Sequence, residues 1–266
     1  MRLVVFTIEF DVGTFSGNGV YGKTIVRSLG ELGHSVLVVS GAPPGSPAPA
    51  SPPVPSAWDG APNVSVLRFP LPRWGSLDAS SAWSEFASAC GGPGAEAVRA
   101  FSPQAALTVD WHGHEAWRRV KAAEERSGEG GGKEEEKRGS EGGGKEAAAS
   151  AVRASPLGGR GSLASVPEVY MNFRVHSRTA PASHDGDVIR RLEAAATLSA
   201  ARTLAVSEVD ARELRRLAGV DARGDDARAR AITGLLPPLR REIRDEAMQE
   251  EESEQEDAGG DAGEGS

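Results

Sequence analysis

A chain of 266 residues, 39% hydrophobic and 26% charged, has the length of one domain or two small ones. Not all of it can build a core: Pro and Ala crowd residues 42–62, Gly, Glu and Lys fill 126–165, and the tail from Asp245 is acidic without a basic residue. The net charge is −8, but ten of the acids sit in that tail and the remainder stands at +2, which argues against nucleic acid as a partner. The three biased segments bury too little apolar surface to offset their ordering entropy, so all are expected to lack regular structure, the tail from 245 to 266 as a disordered, solubilising extension. On the order of 180 residues are left, a normal single α/β domain spread over 1–244. One cysteine, Cys90, excludes an internal disulfide and fits a reducing compartment. The apolar run after Arg2 is short and meets Glu9 at once, unlike a signal peptide, and no stretch is long enough for a membrane span. The expected location is cytoplasmic.

Residues 1–41 read as strand, glycine loop, helix, strand. Leu3 to Phe6 is a continuous apolar run, as in a strand covered on both faces. Tyr21, Ile25, Leu29 and Leu32 follow at helical spacing and predict one apolar stripe, with Gly33 placed to cap the helix end. Val36 to Val39 is a second buried strand, which makes a right-handed parallel βαβ unit. Open α/β sheets bind ligands at the C-terminal edge of their strands, so Ser16 to Gly19 is the first candidate loop. Gly17, Gly19 and Gly22 spell G-x-G-x-x-G. A dinucleotide fingerprint, however, follows its strand directly and meets an acid after the second strand. Here about ten residues intervene, and the second strand ends Val39-Ser40-Gly41. A dinucleotide loop, simple turn glycines and another kind of ligand loop therefore stay open.

Asn63 to Pro70 reads as a third strand near an edge. Residues 77–101 suggest one or two helices with Trp83, Phe86 and Val98 in the core, interrupted at Gly91 to Gly94. Ala105 to Val109 is a fourth strand, followed at once by Asp110-Trp111-His112-Gly113-His114. Three readings apply to this segment. His112 and His114 could ligate zinc, but no further Cys or His cluster supplies partners, so no metal is expected. Asp110 could cap a helix starting near Gly113 while Trp111 packs. Or a histidine at a strand end could bind substrate, with Gly113 letting the backbone approach the ligand and His114 facing solvent or standing at the helix start. Val169 to Phe173 is a fifth strand ending in Asn172, Arg174 and His176, of which Arg174 suits either a phosphate or a nearby acid. Ile189, Leu192, Ala196 and Ser199 predict one helix face, with Arg190 and Glu193 outward. Thr203 to Val206 is a sixth strand, Ser207 and Asp210 resemble a helix-capping start, and Ile232 to Leu236 is the last strand before Pro237-Pro238.

SGNGVYGKTIVRSLGELGHSV resembles the opening of the family-4 glycosyltransferases, a G-G-x-G loop, a helix, then L-x-x-x-G-H-x-V, with Ser16 in place of the first glycine. PQAALTVDWHGHEAWRR is similar to the D-W-H segment of starch and glycogen synthases, and LEAAATLSAARTLAVSEVDARELRRL to the family's block of a glutamate-bearing helix, a strand and V-S. The match covers 1–41, 105–119 and 166–244 in order. It implies the N-terminal, acceptor-side half of a retaining GT-B glycosyltransferase: a Rossmann-like, mostly parallel sheet with helices on both faces. The donor would be a nucleotide-sugar and the acceptor a sugar or glycan, with no cofactor besides.

By the resemblance, His112 is the histidine that lies against the transferred sugar, at a cleft edge where it adds little packing. Gly17, Asn18 and Gly19 would meet donor phosphates or sugar through backbone N–H groups, and Asp110, Asn172 and Arg174 would complete the edge. The family's donor-binding domain is not recognisable, since Glu246 and Glu254 have its glutamate spacing only by chance. The chain is therefore expected to be truncated, with that domain supplied by a longer transcript or another chain. The alternatives are a non-catalytic binding or regulatory module of the same fold and an NAD(P)-binding oxidoreductase fragment.

Overall fold

The computed structural model describes residues 1–47, 54–78, 80–129, 162–176, 184–220 and 231–234. The expectations for 130–161, for the tail from 245 and for the end of the last strand at 235 and 236 lie outside the described residues. Met1–Leu235 is one compact unit.

Its frame is an eight-stranded sheet: β1 (Arg2–Thr7), β2 (Ser35–Ala42), β3 (Ser56–Ala57), β4 (Val64–Pro70), β5 (Ala105–Val109), β6 (Glu168–Asn172), β7 (Arg202–Ala205) and β8 (Ile232–Gly234). The order across the sheet is β3-β4-β2-β1-β5-β6-β7-β8. Every pairing is parallel except β3 on β4, which is antiparallel. The fold is thus an α/β, mostly parallel sheet, as the sequence pattern predicts. Growth of the sheet runs outward from β1 to β2 and β4, then restarts with β5 on the other side of β1. The C-terminal edge between β1 and β5 is therefore the topological switch point, where such sheets open a crevice for ligands.

Side chains alternate across the strands and feed two cores. Val4 and Phe6 join Leu37, Val39, Leu67 and Ala106 under three helices: α2 (Trp83–Ala89), α3 (Ala95–Phe101) and α4 (Asp110–Glu129). Phe86, Val98 and Trp117 fill that layer, and the Phe6 and Trp117 ring centroids are 5.7 Å apart. Val5, Val36, Val38 and Val66 point the other way, onto Val26 of α1 (Gly17–Glu31) and onto Trp58. α5 (His184–Ser199) and α6 (Glu208–Leu217) follow β6 and β7, and Ala211 and Leu214 of α6 pack with Ala205 and Ile232. The interruption expected at Gly91 to Gly94 is a bulged turn, Cys90–Gly94, whose Gly92 leaves helical geometry beside Pro93.

Several local expectations are corrected. Residues 42–62 are not free of structure: Ser56–Ala57 pair with β4, and Trp58 is buried with the Phe10 ring tilted against it, because one aromatic side chain is enough to anchor a Pro-rich segment. Residues 126–129 continue α4. The buried face of α1 is Asn18, Gly19, Gly22, Val26 and Gly30, and Leu32 is 73% exposed. Glycines, which carry no apolar signal, let this helix approach the sheet closely: a Cβ on Gly30 would lie 2.8 Å from the Pro62 carbonyl oxygen. The stop of α1 follows the sequence reading. Gly33 has φ +80°, its N–H donates to the Gly30 carbonyl at 2.9 Å, and His34 N–H donates to that of Leu29 at 3.0 Å, a Schellman end. In α5 the buried positions include Glu193 and Thr197, while Ser199 is exposed, so the outward assignment of Glu193 is reversed.

Candidate functional site

Three chain segments meet at the switch point. The first is the loop leaving β1. Glu9 lies two residues past the strand and is fully buried. Its Oε1 accepts from Gly19 N–H at 2.7 Å and from the Ser16 hydroxyl, and its Oε2 accepts from Phe15 N–H at 3.1 Å. Ser16 is the N-cap of α1, and its hydroxyl oxygen accepts from Asn18 N–H at 3.1 Å. The N–H groups of Asn18 and Gly19, expected to face a ligand, are thus taken up inside the chain. Gly17 is exposed, and a Cβ there would meet only the Tyr21 ring, at 4.0 Å.

The second segment is the start of α4. The helix begins at Asp110, three residues earlier than the sequence suggests, and Asp110 has φ +52°, a left-handed conformation unusual outside glycine. Its carboxylate reaches away from its own helix. Oδ1 accepts from Phe173 N–H at 2.9 Å, Oδ2 accepts from the Asn18 side-chain amide, and His176 Nε2 lies 3.5 Å from Oδ2. One buried carboxylate therefore ties the loops after β1, β5 and β6 together. Gly113 serves packing: a Cβ there would sit 2.4 Å from the Phe6 carbonyl oxygen, so the close approach it permits is to β1 and not to a ligand. His114 is buried, its Nδ1 2.8 Å from Glu168 Oε1, which also accepts from the Thr108 hydroxyl at 2.8 Å. It does not face solvent.

His112 is 1% exposed. Its ring stacks on Trp111 at 3.7 Å between centroids, and the His176 ring stands edge-on at 6.1 Å. Neither ring nitrogen makes a hydrogen bond among the described residues. Burial pushes its pKa down to about 3, against the opposing pull of Asp110, so the ring is neutral near pH 7. The Leu77 backbone acts in the same direction as Asp110 but does not reach hydrogen-bonding geometry. His112 is not a lightly packed residue at a cleft rim, as the sequence suggests, but part of a closed aromatic stack.

The third segment is the end of β6. Asn172 is fully buried; its amide donates to the Tyr170 hydroxyl at 3.0 Å while its own oxygen has no partner among the described residues. Arg174 is exposed. Burial would lower the pKa of His176, but the hydrogen bond and charge of Asp110, with the charge of Glu193, outweigh it and raise the value. Glu193 Oε1 also accepts from His176 N–H at 2.7 Å.

The structure thus joins Asn18 and Asp110 directly, and sets His112 and Asn172 in the same buried edge. Arg174 lies at its exposed margin, and Gly17 and Gly19 at the start of α1. No group of three or more metal-ligating side chains occurs among the described residues, and no described helix is long and apolar enough to cross a membrane.

No family model and no curated protein matches the sequence. Among solved structures, sucrose-phosphate synthase (tll1590) from Thermosynechococcus elongatus is similar at TM-score 0.49 and 10% identity over 81% of this chain and 44% of that one. The catalytic domain of starch synthase IV from Arabidopsis thaliana, bound to ADP and acarbose, gives TM-score 0.49 and 13% identity over 90% and 51%. Trehalose-6-phosphate synthase from E. coli, bound with UDP-2-fluoro glucose, gives TM-score 0.43 and 10% identity over 82% and 43%. All three are GT-B glycosyltransferases. The chain spans about half the length of these structures.

Sequence reasoning placed His176 among the polar residues at this edge, beyond β6, and missed Glu9 and Glu193. Glu9 had one signal, an acid just past a buried strand and seven residues before a helix-capping serine.

Proposed function

We propose that this chain is the acceptor-side half of a retaining, nucleotide-sugar-dependent glycosyltransferase. The observation that carries the reading is His112. A fully buried imidazole, neither of whose nitrogens has a hydrogen-bond partner among the described residues, lies at the switch-point edge of a parallel sheet, within a D-W-H segment that resembles the glycosyltransferase motif. Buried polar atoms without partners are costly, and a sugar hydroxyl, which both donates and accepts, satisfies either side of a neutral ring. The Asn172 oxygen offers a second acceptor, and Asp110 fixes the loops that carry both residues. In this reading His112 hydrogen-bonds the transferred sugar and helps hold charge at the reacting centre. Asn18 and Asp110 set the edge, Gly17 and Gly19 shape the loop, and Arg174 meets ligand charge at the margin. Ligand entry requires the stack over His112 to open.

The test is a labelled-donor transfer assay with a donor-binding domain supplied, comparing the chain with its His112→Phe variant. Phenylalanine keeps the ring stacked on Trp111 and removes both polar atoms. Turnover falls on the order of a hundredfold or more, as for loss of one group that stabilises the transition state. Unchanged turnover removes His112 from the mechanism.

A further inference from the structure

The fully buried Glu9 carboxylate forms no ion pair among the described residues, although an unpaired buried acid is expensive. What surrounds it is the beginning of α1. Gly19 is the third residue of that helix, and its N–H is one of the donors that the helix itself cannot satisfy. Glu9 takes that donor together with Phe15 N–H and the Ser16 hydroxyl, and Ser16 takes the N–H of Asn18. The carboxylate therefore sits where a helix N-terminus, with its partial positive charge, would otherwise hold a bound phosphate. Gly19 fits the same account. A Cβ there would lie 3.1 Å from Glu9 Cδ and 2.6 Å from Thr14 Cγ2, so the glycine is required by the chain's own carboxylate.

We propose that Glu9 is a specificity-determining residue: it occupies the anion position of α1, closes it to phosphate, and leaves this edge to an uncharged, hydroxyl-bearing ligand. An incoming phosphate would have to displace a side chain that already holds three donors, or stand beside it as a like charge in a buried setting. The neighbouring groups with free capacity, His112 and the Asn172 oxygen, suit hydroxyls. The second half of the proposal rests on the glycosyltransferase reading of the edge; the closure to phosphate does not. Under that reading, the phosphates of a nucleotide-sugar are held away from the start of α1.

The experiment uses the full chain and its Glu9→Ala and Glu9→Gln variants. Thermal melts are recorded in sodium formate and in sodium chloride of equal ionic strength, and amide resonances are followed by NMR during titration with pyrophosphate. Glu9→Ala orphans three donors and lowers Tm by about 5–10 °C. Formate, which replaces the missing carboxylate, recovers part of that loss in Glu9→Ala and leaves the unaltered chain where chloride does. Pyrophosphate shifts the Phe15 and Gly19 amides in the variant and not in the unaltered chain. If Glu9→Ala does not fold, Glu9→Gln, which keeps the volume and one acceptor oxygen but loses the charge, shows a weaker gain of pyrophosphate response in the same direction. Saturable shifts of Gly19 in the unaltered chain overturn the proposal. So does an absence of anion-specific recovery or response in whichever variant folds. A parallel titration with maltoheptaose separates the two readings. Shifts of the Asn18 and Asn172 side-chain amides support the hydroxyl-bearing ligand, and their absence, with the anion results as expected, overturns that half of the proposal for a glucan and leaves the role of Glu9 standing.

Discussion

At Asp110 the chain accepts a left-handed φ of +52°, a conformation that costs a non-glycine residue about 1–2 kcal/mol. The compensation is positional: only from there does one carboxylate meet the Asn18 amide, Phe173 N–H and His176 together. Asp110→Asn tolerates the same backbone but turns one acceptor into a donor facing the Asn18 amide. The expected loss is about 2–3 kcal/mol in denaturant unfolding, and a melt equal to the unaltered chain would show that the three loops do not depend on this carboxylate. His112 gives a pH signature. Its folded pKa, about 3, lies below the roughly 6.5 of an unfolded histidine. Above pH 6.5 neither state is protonated and its contribution is fully present; as pH falls from 6.5 towards 3 only the unfolded chain takes up the proton. Stability then drops by about 1.4 kcal/mol per pH unit. His176, whose pKa is raised, has the opposite sign, stabilising below 6.5 and losing that contribution as pH rises through its folded value. His112→Phe removes the acid-side loss and leaves the His176 contribution, so its stability measured between pH 6.5 and 4 falls less steeply. Such roles were only partly legible in the sequence. Asp110 and Asn172 stand at strand ends, where chain order alone places them at the ligand edge, and Asn18 lies in the first turn of the helix after the glycine loop. Glu9, His114 and Glu193 drew outward or incidental readings because a charged side chain counts as exposed until its buried partner is known, and those partners come from distant segments.

Among the elements, strands were read more faithfully than helix faces. A strand buried on both sides announces itself by a short apolar run, clearest in β1 and β2, and the shorter β6 and β7 were placed from one β-branched residue each with apolar neighbours. β3 escaped because two residues among prolines have no period to read. Helix α1 shows the other failure. Its visible apolar stripe through Tyr21, Ile25 and Leu29 is only half-buried, while its contact face is made of Gly19, Gly22, Val26 and Gly30. Substitution distinguishes the two kinds of glycine in this helix. Alanine in a helix interior is ordinarily favoured over glycine by about 1 kcal/mol. At Gly30 the new Cβ would meet the Pro62 carbonyl oxygen at 2.8 Å and Ala61 Cβ and Val64 Cγ2 at 3.0 Å. Forcing the helix off the sheet outweighs the propensity gain, and Gly30→Ala is expected to destabilise by about 1–3 kcal/mol. Gly17, where a Cβ would meet only Tyr21 at 4.0 Å, should tolerate alanine within about 0.5 kcal/mol. Equal melting of the two variants would mean that α1 does not rest on its glycines.

For the molecule as a whole, the question is what one sheet edge can do by itself. His112, Asn172 and Asn18 at the switch point and the exposed Arg174 come from three neighbouring loops, and under the proposed reading they belong to one wall of a site. Glycosyl transfer needs donor and acceptor held in near-attack geometry with water excluded, which one wall cannot supply. The closed stack over His112 adds a second requirement, because binding energy must first open it; a ligand gripped from both sides supplies more of that energy than one touching a single face. The 266-residue chain alone is therefore expected to give no measurable transfer from a labelled nucleotide-sugar. Turnover should appear when a donor-binding domain is added in cis or in trans. His112→Phe then removes most of that gain while its Tm stays level or rises, since two buried nitrogens without a partner among the described residues are exchanged for carbon. Robust turnover by the chain alone would overturn the half-enzyme reading. A Tm of His112→Phe well below that of the unaltered chain would show instead that the histidine is held by contacts it needs for folding, and would assign the D-W-H segment a packing role.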